Sequence, residues 1–186
     1  SNGKIYPKGS PLHNLELISI KAMTAHEEDI LMSRALLREG TVLTHLINSC
    51  IIDKNINSRD LIAGDRNSLM VAIRITGYGS NYKAEVTCPE CSAKQSHAFD
   101  LSELTIKRLK IEPISVGLNQ FEHVLPVSKK RVIFKFLTGR EEEEQSALAE
   151  RRRKIMPDVQ VENLVTSRLE ANVVSIEGIK IGRAHV

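Results

Sequence analysis

Tryptophan is absent from this chain of 186 residues, and aromatic residues make up only 4% of it. So few ring faces argue against a protein that binds nucleic acid by base stacking. No apolar run approaches the ~18 residues of a membrane-spanning helix. The chain opens at Ser1 in polar sequence, so no secretory signal peptide is expected. Three cysteines, an odd number, do not make a disulfide framework and point to a reducing compartment. The net charge is only +3, from 26 basic and 23 acidic residues. That balance lacks the basic excess of a nucleic-acid or membrane-surface binder. No H-E-x-x-H, P-loop or G-x-S-x-G is present. The six histidines fall into no acid–base or nucleophile pattern. No catalytic and no cofactor-binding residue is assigned, and an enzyme is the least supported class.

The chain is 41% hydrophobic and 26% charged, enough apolar material for a globular core. Its pattern predicts an α+β fold with helices first, then antiparallel β-hairpins, then helices. Residues 1–13 read as an extended N-terminal arm, 14–138 as an α+β core and 139–180 as a C-terminal helical appendage. Residues 181–186, Ile-Gly-Arg-Ala-His-Val, read as a translated adapter and a non-native tail, so His185 is no ligand candidate. The missing Met at position 1 suggests that native termini are lacking.

Leu15–Ile20 reads as a strand. Thr24 and Glu27 have capping-box spacing and predict a helix running to about Leu37 and stopping near Gly40. A second helix follows Thr41, with Leu43, Leu46, Ile47, Cys50 and Ile51 on one face, which makes Cys50 a core residue. Asp60–Gly64 reads as a helical turn. Asp65 is expected to cap a third helix that ends at Gly77–Gly79. Residues 82–87 and 95–99 form one hairpin, and 121–125 and 132–137 a second. A helix over 140–155 has Glu141–Glu144 near its start and Arg151–Lys154 near its end, in the order that suits the helix dipole. Pro157 should end it. Val161, Leu164, Val165 and Leu169 mark a last amphipathic helix. It and the N-terminal arm are the expected partner-contact surfaces.

The chemistry-bearing motif is Cys88-Pro89-Glu90-Cys91, set in the turn of the first hairpin. Two thiols at this spacing in a tight turn form half of a zinc site, since zinc takes four ligands. Cys88 and Cys91 are the candidate metal ligands and zinc the candidate cofactor, with His97, His123 or Cys50 as possible additions. A second reading is a redox dithiol. It is disfavoured because a strand rather than a helix follows Cys91. The third is a hairpin turn that binds no metal. Ser92 stands where a knuckle often has glycine.

Several blocks together resemble one family. They are Ser1–Pro7, Met23–Leu31, Gly64–Asn67 and Ile73–Gly79. Thr87–Cys91 with Phe99–Leu101 follows, then Leu125-Pro126 and Phe136–Gly139. In order and spacing they are similar to the baseplate hub protein family of T4-type contractile-tailed bacteriophages, over roughly residues 1–169. The resemblance implies a non-enzymatic structural or assembly protein of the tail baseplate hub. It would act by protein–protein interaction with other phage baseplate hub proteins, in the infected bacterial cytoplasm or in the virion tail. Membrane partners are not implied. The competing class is a zinc-knuckle nucleic-acid-binding module, supported by the Cys pair and the basic cluster Arg151–Lys154.

Overall fold

A computed structural model describes residues 1–105, 107–155, 164–177 and 179–180 of the chain. The fold is α+β, as the sequence predicts. Six helices are described: α1 Ala25–Met32, α2 Arg34–Glu39, α3 Val42–Cys50, α4 Ala63–Tyr78, α5 Gly139–Ile155 and α6 Leu164–Asn172. The strands are β1 Asn81–Thr87, β2 Lys94–Asp100, β3 Phe121–Val124, β4 Arg131–Phe134, β5 Val173–Ile176 and β6 Ile179–Lys180. β1 and β2 form a separate two-stranded sheet, and β3-β4-β5-β6 an antiparallel meander.

The core sits between the N-terminal turns, α3, α4 and the start of the meander. Ile47, Cys50, Ile51, Leu61, Ile73 and Phe121 are essentially sealed from solvent within it. Phe121, Phe134 and Phe136 form a ring cluster with centroids 5.0–5.9 Å apart. Four of the chain's few aromatics are phenylalanines, and three of these four are spent here.

The N-terminal arm is not a free contact surface. It folds back on itself: the Gly3 carbonyl accepts from both Tyr6 N and Asn14 N. Gly3 sits at φ +70, and a Cβ there would lie 2.2 Å from Leu15 N, so only glycine fits this closure. Ile5, Tyr6 and Leu12 are thereby delivered to the core. The Tyr6 hydroxyl donates to Asp65 (2.8 Å) and accepts from Ile62 N (3.0 Å) at the start of α4. Burial, then the Asp65 charge, pushes its pKa above the ordinary tyrosine range.

Five local expectations change. Leu15–Ile20 makes only a bridge, Ile20 to Ile51, because no second strand lies alongside it. The helix begun at Thr24 breaks at Ser33, which leaves the helical region (ψ 108) and starts α2 afresh. On α3, Leu43 is exposed while Thr44 is buried. α4 begins at Ala63, so Asp65 lies within its first turn rather than at its cap. The helical turn expected near Asp60 is a 3₁₀ turn over Ser58–Asp60. Both hairpins and α5 form where expected. Beyond the helices expected in the C-terminal part, β5 returns to pair with β4. Pro157, Val161 and residues 181–186 lie outside the described residues, as do the side chains of Leu164 and Val165. On α6, Leu169 is exposed.

Candidate metal and interaction sites

The β1–β2 hairpin carries the Cys-x-x-Cys motif at its tip. Its register pairs Tyr82 with Phe99, Ala84 with His97 and Val86 with Gln95. Side chains alternate across a strand, so those six residues share one face. Lys83, Glu85, Thr87, Lys94, Ser96 and Ala98 share the other. Little covers the first face: Tyr82, Val86 and Phe99 are 43%, 50% and 44% exposed. The base of the hairpin is tied down. Arg74 of α4 donates to the Gly79 carbonyl (3.0 Å), and its guanidinium lies 4.9 Å from the centre of the Tyr78 ring. Leu101 N donates to the Ser80 carbonyl at 2.9 Å.

The turn itself has a defined geometry. Cys88 N donates to the Ala93 carbonyl and Ser92 N to the Cys88 carbonyl, both at 2.9 Å. Ser92 takes φ +58, the left-handed conformation that glycine fills more easily. Amides of Cys91 and Glu90 donate to the Cys88 sulfur, with a further contribution from the Cys91 side chain, and hold its pKa below the ordinary thiol value. Cys88 is half-buried, Cys91 is exposed, and all three cysteines are free thiols.

The other ligand candidates do not join this pair. His97 lies three residue pairs along the ladder from Thr87–Lys94, roughly 10 Å at about 3.3 Å per residue. Its ring packs against Phe99 at 4.6 Å. His123 is on β3, in the other sheet. Cys50 is in the core, its thiol pKa raised by burial and by the Glu27 charge. Among the described residues, no third His, Cys, Asp or Glu stands with Cys88 and Cys91.

Buried charge elsewhere serves the fold. Glu27 is sealed from solvent, yet it takes Lys21 Nζ (2.7 Å), Thr24 N (2.8 Å), the Thr24 hydroxyl (2.6 Å) and the Ser49 hydroxyl (2.5 Å). These bonds, Lys21 foremost, hold its pKa well below the carboxylate range. Sequence reasoning missed a second box of the same kind. Glu141 reaches back to Thr138 N (2.9 Å) and its hydroxyl (3.0 Å) at the start of α5. The T-x-x-E spacing was there to read. On the same helix, Glu143 pairs with Arg59 (2.9 Å) and accepts from the buried Thr44 hydroxyl, which in turn accepts from Arg66 (3.1 Å). Near the far end, Lys154 pairs with Glu150 at 3.3 Å.

One cleft, of about 400 Å³, is lined by Ile5, Tyr6, Asp60, Asn119, Thr138 and Arg140 among others. Arg140 and Asp60 pair across it at 2.9 Å. That lining contains no Ser–His or Cys–His couple to drive nucleophilic chemistry. Among the described residues, no helix is long and apolar enough to cross a membrane.

Large apolar side chains are instead left bare on the helical side. Leu17, Met32, Leu37 and Ile52 are each more than half exposed. Where such side chains cluster they mark a candidate contact surface. No curated protein and no solved structure matches the chain. A family model described as T4 bacteriophage base plate protein does, over residues 8–136, more than half of the length. The match spans α1 to β4, the arm's second half and the Cys turn included, and the chain belongs to the T4 bacteriophage base plate protein family.

Proposed function

We propose that this chain is a non-enzymatic structural or assembly protein of the baseplate hub in a contractile tail. It acts by binding other hub proteins in the infected bacterial cytoplasm as the tail is built. Membership of the base plate family carries this reading. The surface supports it: Met32 and Leu37, at the α1–α2 break, are 79% and 55% exposed and well placed for a helix-face contact.

The test is co-expression with the remaining baseplate proteins of the same phage. A tagged wild-type chain is expected to retain at least one hub protein through purification. The double variant Met32→Asp, Leu37→Asp should lose it by tenfold or more while its circular dichroism melt stays within a few degrees of wild type. Retention of the partner by the variant would remove this surface from the reading. Capture of no baseplate protein by the wild-type chain would remove the reading itself.

A further inference from the structure

The Cys88–Cys91 turn is a half-site with its backbone already in place. Zinc in structural sites is tetrahedral, with Zn–S near ~2.3 Å, so all four donor atoms must lie within about 4 Å of one another. This chain offers two at that point, and among the described residues nothing adds a third. The turn also stands where another chain can reach it. It is at the far end of a hairpin anchored at its base, with Cys91 exposed. Isolated two-stranded hairpins are marginal in water. This one nonetheless leaves Val86 exposed next to the turn, and Tyr82 and Phe99 exposed at the base of the ladder.

We propose that two copies of this chain share one zinc ion, each giving Cys88 and Cys91 to a four-thiolate site. Two identical dithiol turns close a tetrahedral Cys₄ site about a twofold axis without any further residue. The four thiols bind as thiolates, so each that enters protonated gives its proton to solvent, up to four per zinc, and no oxidant is needed. The inference stands apart from the hub reading, since self-association needs no other phage protein.

The experiment uses the full chain purified under reducing conditions. Zinc is counted by inductively coupled plasma mass spectrometry, and mass in solution is measured by light scattering after gel filtration. The expected result is one zinc per two chains in a dimer. A strong zinc chelator should return it to monomer, and added zinc should restore the dimer. Cys88→Ser and Cys91→Ser should each be monomeric and bind at least tenfold less zinc. Their melts should resemble that of the chelated wild type, which separates loss of metal from loss of fold. One zinc per monomer would overturn the proposal, as would no zinc. So would a dimer that survives chelation, or one that falls apart on reduction alone and is therefore a disulfide.

Discussion

Glu27 shows how one carboxylate can organise a fold of modest size. It closes the α1 capping box, reaches α3 through Ser49 and gathers Lys21 from the preceding segment. Its depressed pKa makes it a source of acid sensitivity. A carboxylate whose folded pKa lies below its unfolded value contributes fully above that unfolded value, near ~4.3. The contribution is lost as pH falls from there through the folded value. Glu141, also lowered although burial opposes it, adds in the same direction. Urea unfolding should therefore show stability falling steeply below about pH 4. Glu27→Gln should cost roughly 1.5–3 kcal/mol at neutral pH, the scale of hydrogen bonds to a charged group. It should also flatten the acid dependence; an unchanged pH profile in this variant would assign the sensitivity elsewhere. The spacing Thr24-x-x-Glu27 was legible in the sequence. The burial was not, because Lys21 and Ser49 meet Glu27 only after the chain folds.

At the scale of elements, legibility follows how local the cause is. In the β1–β2 hairpin, β1 alternates apolar and polar residues before a turn, and the limits of the hairpin were readable within a residue or so. Leu15–Ile20 has the composition of a strand but no neighbour to pair with, so tertiary context overrides propensity. The break at Ser33 hides within a helical run, since serine caps as readily as it continues. β5 is four residues directly after a helix, too short for its alternation to stand out. The candidate metal ligands were plain from spacing, whereas the distance of His97 from them needed the register. The arm is the largest reversal. Ile5, Tyr6 and Leu12 are core residues, and burying each is worth about 1.5–3 kcal/mol. Removing residues 1–12 would thus forfeit an amount comparable with the ~5–15 kcal/mol of a typical domain. That truncation should show no cooperative thermal transition by circular dichroism. A melt within a few degrees of full length would mean that the arm is dispensable.

For the whole molecule, the meander joins distant parts of the chain. β5 pairs Val132 with Ile176 and Ile133 with Ser175, across α5 and α6. Ser175 is buried there, and without β5 the second edge of β4 would be bare. A chain stopped at residue 172 should therefore melt several degrees lower and scatter more light on concentration. If it stays monodisperse with an unchanged melt, closure of the sheet contributes little. Pairing at this separation also carries a cost in time. β4 leaves the ribosome roughly forty residues before β5, an interval of about 2–8 s at ~5–20 residues per second. During that interval the edge that β5 will cover is open to any other nascent strand. A phage making many copies at once therefore places this protein at its most vulnerable before β5 has been translated.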